Sequence, residues 1–168
     1  MVGSLVKRVL VTGMVVSATL VGGHVRPAAA ADPIDFPAGL VCEFPVRLAS
    51  SGDTRKVHEF RDAAGNVVRT LQTGLGSAGT LTNLDTGATF SFPANGAVWN
   101  IVNKPGGIQT FTTMGHLILF LFPSDIPAGP STTLYVGRVV FDVDTATGVF
   151  TLKSATGRST DLCAALSH

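Results

Sequence analysis

Apolar and polar residues alternate along short runs of the chain, and turn signals separate these runs. Between Glu43 and Leu48, the apolar side chains Phe44, Val46 and Leu48 occupy every second position, which places them on one face of a strand. Valine, threonine, phenylalanine, leucine and isoleucine dominate, and turn signals recur about every ten residues. After residue 31, no stretch has the period of an amphipathic helix. The pattern predicts an all-β protein.

Paired runs around glycine-containing turns predict a succession of hairpins. Asp85-Thr86-Gly87 and Lys104-Pro105-Gly106-Gly107 place glycine where a hairpin needs a positive φ. The runs that read as strands, of which 55–61 is the poorest, are 43–48, 55–61, 67–72, 79–84, 88–92, 98–103, 108–113, 116–122, 132–143 and 149–154. About nine strands in sequential order predict an antiparallel meander that forms an up-and-down barrel or a curled sandwich. The proline- and glycine-rich loop 123–130 is the longest candidate lid.

The strand Leu117–Phe122 is apolar on both faces, although a half-exposed strand should alternate. We expect the second face to be covered from within the chain, by Ile34–Leu40 or by the carboxyl end. Two other interpretations are a homodimer seam and an apolar ligand held in the interior. The candidate ligand or interface residues are Leu117, Leu119, Leu121, Phe120, Phe122, Trp99 and His116.

The first 31 residues have the pattern of a cleaved secretory signal peptide. Lys7 and Arg8 form a positive amino-terminal region, 9–21 is apolar, and 28–31 is a run of alanines. The apolar run is shorter than a membrane span, which needs about 20 residues. We predict cleavage after Ala31, with a cut one residue earlier as the alternative. The expected location is extracellular or associated with the cell envelope, with no membrane span after cleavage.

Removal of this leader changes the charge balance. The remaining 137 residues hold nine lysines and arginines against eleven acidic residues, so the net charge falls from +1 to near −2. Nucleic acid is an unfavourable partner because binding phosphates needs clustered cations. This length suits one domain, and the predicted division is an extended segment at 32–41 followed by a single β-barrel-like domain at 42–168.

Two cysteines remain, Cys42 near the start and Cys163 near the end of the mature chain. Because export leads to an oxidising compartment, we predict that they form a disulfide between the first strand and the last segment. The alternative is two separate buried thiols.

Candidate catalytic groups are sparse. Leu84–Ala88 matches the short signature around the aspartate of retroviral-type aspartic proteases, with Asp85-Thr86-Gly87 at its centre. The same three residues form an ordinary hairpin turn, which is the favoured interpretation. A hydrolase or isomerase that uses Asp85, Glu59 or Asp142 in a barrel mouth is the alternative to a non-enzymatic function.

No histidine or cysteine spacing indicates a metal site. Asp142-Val143-Asp144 with Gly148 resembles a calcium loop but lacks the closing bidentate acid. We expect no metal and no cofactor.

Three segments carry a resemblance to known proteins: Cys42–Val46, Leu81–Gly87 and Gly157–Cys163. They resemble small exported β-rich proteins of high-GC Gram-positive bacteria that lack an assigned function. The resemblance implies a shared fold and supports export and the disulfide, but it carries no catalytic residue or substrate. The sequence as a whole favours a secreted, non-enzymatic binding or structural module that holds a small apolar ligand or a protein partner.

Overall fold

The computed structural model describes residues 32–168. The predicted signal peptide, residues 1–31, and its cut site lie outside the described residues. The described part folds into antiparallel strands and one short helix. The all-β class predicted from the sequence is confirmed.

The strand boundaries follow the alternating runs of the sequence. The strands are β1 (Ile34–Phe36), β2 (Val46–Ser51), β3 (Lys56–Arg61), β4 (Val67–Leu75), β5 (Ala78–Asn83), β6 (Thr89–Phe92), β7 (Gly96–Lys104), β8 (Ile108–Leu121), β9 (Ser131–Asp144) and β10 (Phe150–Asp161), and the helix is α1 (Leu162–Leu166). Although no helix was predicted, the Asp161 side chain caps α1 by accepting a hydrogen bond from the Ala164 amide at 3.0 Å.

Two antiparallel sheets result, and neither closes into a barrel, so of the two predicted architectures the curled sandwich fits. The first sheet has the order β1-β2-β5-β6 and the second β10-β9-β8-β7-β4-β3. Every predicted hairpin forms, but β2 pairs with β5 and β4 with β7. The chain therefore leaves the first sheet to make the β3–β4 hairpin and then returns, which departs from a purely sequential order.

A row of small residues crosses the six-stranded sheet. Gly115 of β8 lies opposite Gly137 of β9, which lies opposite Gly157 of β10. Gly137 has φ +153, and a Cβ atom there would come within 2.1 Å of the Thr156 carbonyl oxygen. Because a Cβ atom has no room at these positions, glycine allows the backbone to bend here. The predicted strands 108–113 and 116–122 consequently merge into β8, which bends at Gly115 without ending.

The bend brings the two halves of β8 into one core. Phe111 from the first half lies in the same cluster as Leu117, Leu119 and Leu121 from the second. A straight strand would separate Phe111 from Leu121 by about 33 Å, yet both lie in one cluster. The six-stranded sheet therefore curls over its own concave face.

The opposite face of Leu117–Phe122 packs against the four-stranded sheet and both ends of the described chain. The Phe36 ring stacks on Phe120 with 5.4 Å between ring centroids. Leu162 and Leu166 of α1 are fully buried in the same cluster. Cover from within the chain, by Ile34–Leu40 or by the carboxyl end, was the expectation, and both segments contribute to it.

The Cys42–Cys163 disulfide is confirmed and joins residues 121 positions apart. It ties the segment before β2 to α1. Buried Asn83 reinforces this closure, because its Nδ2 atom donates to the Leu166 carbonyl oxygen at 3.0 Å. The two ends of the domain are thus fastened at one place.

Candidate functional site

The concave face of the six-stranded sheet, together with Ile118, Phe120 and Phe122 from the opposite face of Leu117–Phe122, lines a half-open cavity of about 640 Å³, here called the cleft. All six strands of this sheet and the segments beside them line it. Its lining residues are Arg55, Val57, Glu59, Thr70, Gln72, Trp99, Ile101, Gln109, Phe111, Leu117, Ile118, Leu119, Phe120, Phe122, Phe141 and Phe150. Strand register explains the set: Val57, Gln72 and Trp99 are cross-strand neighbours, as are Glu59, Thr70 and Ile101.

One wall of the cleft is a continuous series of aromatic rings. Trp99 meets Phe111 edge to face at 6.1 Å, Phe111 stacks on Phe141 at 4.9 Å, and Phe141 stacks on Phe150 at 5.6 Å. These separations are those of favourable aromatic pairs. The wall offers an apolar surface suited to a flat or elongated hydrophobic molecule.

The opposite wall, on β3 and β4, is more polar. Thr70 and Gln72 present a hydroxyl and an amide, and Glu59 adds a carboxylate that forms an ion pair with Arg61. An apolar pocket with a few polar groups is the usual composition of a small-molecule site. The polar groups would orient a ligand that the aromatic wall binds.

Arg55 is held in place at the edge of the cleft. Its Nε atom donates to both Asp53 oxygens at 3.0 Å and its Nη2 atom to Oδ2 at 2.5 Å. The hydrogen bond from Arg55 holds the pKa of the Asp53 carboxyl below its ordinary value. The guanidinium also lies 5.2 Å from the centre of the Trp99 ring, within cation–π range. Arg55 is therefore a preorganised cation beside an aromatic surface.

A second space of about 430 Å³, the inter-sheet cavity, lies between the two sheets. Leu48 and Phe90 from the four-stranded sheet face Leu134 of β9 across it. The residues that this cavity shares with the cleft are Arg55, Trp99, Leu117, Ile118 and Phe120. The two spaces therefore adjoin at Arg55 and Trp99.

The structure gathers most of the sequence-predicted candidates at these spaces. The three that line both are Leu117, Phe120 and Trp99, while His116 lines the inter-sheet cavity alone. Leu119 and Phe122 line the cleft. Leu121 lines neither space and packs in the core. Their role in binding stays a prediction.

The three candidate carboxylates are not brought together. Glu59 lines the cleft, whereas Asp142 neighbours Thr110 on the convex face of the same sheet. Asp85 is exposed in the β5–β6 turn, where its amide donates to the Asn83 side chain at 2.9 Å. The fold therefore does not bring these three carboxylates together in one barrel mouth.

Asp142 makes a structural ion-pair cluster on the convex face. The Thr110 hydroxyl donates to Asp142 Oδ1 at 2.6 Å, and Lys153 and Lys104 lie 3.4 and 4.0 Å from its oxygens. The Thr110 hydrogen bond and the two ammonium groups hold the pKa of the Asp142 carboxyl below its ordinary value. Asp144 accepts turn amides, as expected of a hairpin. Within residues 32–168 no three histidine, cysteine or acidic side chains cluster as metal ligands would.

Sequence reasoning missed Arg55, Thr70 and Gln72 as parts of the site. Arg55, Val57 and Glu59 occupy every second position, which was the available signal, but two of the three are charged and 55–61 is the poorest of the predicted strands. The predicted lid 123–130 is instead anchored: buried Asp125 accepts amides from Phe122 at 2.6 Å and Phe150 at 2.9 Å.

Among residues 32–168, no helix has the length and apolar character needed to cross a membrane. Comparisons with protein-family models, with curated protein sequences and with solved structures find no match to this chain.

Proposed function

We propose that the protein is a secreted binding module that holds a small, largely apolar molecule in the cleft. The observation that carries this proposal is the cleft itself, about 640 Å³ with an aromatic wall from Trp99 to Phe150. Ligand pockets commonly measure about 300–1,000 Å³ and combine apolar walls with a few polar groups. A drug-sized molecule would fit.

The homodimer seam is less favoured than a ligand. The second face of Leu117–Phe122 is covered by Phe36, Leu162 and Leu166 of the same chain. The same chain therefore covers part of that face, and the rest of it, at Ile118 and Phe120, lines the two spaces in which a ligand could bind.

Binding is favoured over catalysis because the cleft holds one carboxylate, Glu59, and Arg61 already compensates its charge. General acid–base chemistry usually relies on groups that converge with perturbed pKa values. The carboxylates Asp85 and Asp142 lie elsewhere on the fold.

Secretion is part of the proposal. The predicted signal peptide and the resemblance to small exported proteins of high-GC Gram-positive bacteria motivate it. The Cys42–Cys163 disulfide is compatible with an extracellular location.

The test uses the single tryptophan as a reporter. Trp99 lines the cleft, so a bound pyrene should accept its excitation energy. We expect titration of the purified protein with the neutral probe 1-pyrenebutanol to quench Trp99 emission saturably. Thr70→Phe fills the cleft and should weaken binding about tenfold, which corresponds to about 1.4 kcal/mol.

Thr73→Phe is the matched control. Thr73 lies on β4 three residues from Thr70, pairs with exposed Val98 on the other face, and lines neither cavity. Its binding should equal that of the unmodified protein. Absence of saturable quenching, or equal weakening by both variants, would overturn the proposal.

A further inference from the structure

We propose that the ligand carries an acidic group, and that Arg55 binds this anion where the cleft meets the inter-sheet cavity. This inference rests on the proposed function and narrows it to one chemical class, an aromatic or aliphatic body with a carboxylate. Arg55 is the one lysine or arginine among the residues that line the two spaces in the described part of the chain.

The hydrogen bonds of Arg55 leave one end of the guanidinium available. Asp53 engages Nε and Nη2. Among residues 32–168, no side chain or carbonyl group accepts a hydrogen bond from Nη1. A planar guanidinium has five N–H donors and suits a second carboxylate. Asp53 therefore fixes the orientation of the fork while Nη1 remains able to donate to a ligand.

The position of Arg55 also fits a ligand with an apolar body. Trp99 lies under the guanidinium at 5.2 Å and continues into the aromatic wall through Phe111. An acidic group at Arg55 would thus direct the rest of the molecule along those rings. Charge and apolar surface meet at one point, as recognition of an amphipathic anion requires.

The other charged group of the cleft, Glu59, would favour a cation, but it is the weaker anchor. Its side chain is 46% exposed, compared with 24% for Arg55. Water screens an exposed charge more strongly. Each charge has a partner within the chain, Arg61 for Glu59 and Asp53 for Arg55. Because Arg55 is the less exposed of the two and Asp53 does not engage its Nη1 atom, we expect Arg55 to decide which ligands bind.

The experiment compares three probes that share one apolar body at neutral pH: 1-pyrenebutyrate, 1-pyrenebutanol and 1-pyrenebutylamine. We expect the acid to bind about tenfold more tightly than the alcohol at low salt, since hydrogen bonds to charged groups are the stronger ones. Added salt should weaken binding of the acid and leave binding of the alcohol unchanged.

Arg55→Gln should remove the preference for the acid, so that this variant binds the acid no more tightly than the alcohol. Lys56→Gln removes the same charge from the next residue, which lines neither space, and should preserve the preference. Equal binding of acid and alcohol to the unmodified protein, or tightest binding of the amine, would overturn the inference and leave the proposed function standing. Failure of all three probes to bind would overturn the proposed function itself.

Discussion

Substitution of Gly137 tests whether the glycine row bends the sheet. In Gly137→Ala the new Cβ would lie 2.1 Å from the Thr156 carbonyl oxygen and 3.0 Å from the Gly157 Cα, at φ +153. A non-glycine residue at such a φ costs about 1–3 kcal/mol, and forcing an extra carbon into a packed site costs about 1–3 kcal/mol more. We expect the free energy of unfolding to fall by about 2–6 kcal/mol.

Gly87→Ala is the control that separates the cost of a positive φ from the cost of the steric clash. Gly87 has φ +77 in the β5–β6 turn, and a Cβ there would meet nothing within 4 Å. Gly87→Ala should lower the free energy of unfolding only by the conformational cost of a positive φ, about 1–3 kcal/mol. The assay is urea unfolding of both variants, followed by Trp99 emission, with the slope of the transition checked for constancy. A Gly137→Ala loss within about 0.5 kcal/mol of the Gly87→Ala loss would refute the close-approach argument.

Three further predictions concern stability. The double substitution Cys42→Ala/Cys163→Ala opens a loop of 121 residues and should cost about 3–5 kcal/mol in chemical denaturation; a loss below about 1 kcal/mol would contradict the role of the bridge. Asp142 has a lowered pKa in the folded state, so its contribution is present above its unfolded pKa of about 3.9 and is lost as pH falls through the folded pKa. The urea midpoint of Asp142→Asn should accordingly fall less steeply on acidification than that of the unmodified protein, and parallel curves would count against the cluster. Asn83→Ala leaves the buried Leu166 carbonyl without its hydrogen bond from Asn83 and should lower the free energy of unfolding by about 1–3 kcal/mol. An unchanged urea midpoint would show that water replaces the amide.

Local sequence rules predicted the hairpins well because each depends on neighbouring residues. Gly87 and Gly106 adopt the positive φ that their turns required. The disulfide also followed from elementary counting, because two cysteines and an export pattern leave few alternatives.

The strand order was less accessible because it depends on contacts distant in sequence. Nothing local indicates that Val46 of β2 lies opposite Asn83 of β5. The merging of two predicted strands into β8 depended likewise on Gly115 meeting Gly137 across the sheet. A glycine that bends a strand has the same sequence signal as one that ends it.

Only part of the candidate site could be predicted, because its polar residues are identified by contacts distant in sequence. The apolar strand 117–122 and Trp99 could be identified from hydrophobicity alone. Arg55 and Gln72 could be placed only once the register aligned Val57, Gln72 and Trp99. Polar side chains of a binding cleft are indistinguishable from solvent-exposed ones until the partner strands are known.

The most direct test of the central claim is a crystal structure of the protein grown with 1-pyrenebutanol. We expect density for the pyrene ring in the cleft, in contact with Trp99 and Phe111, with the six-stranded sheet bent at Gly115, Gly137 and Gly157. A cleft filled by the protein's own side chains, with the probe bound elsewhere or absent, would contradict it.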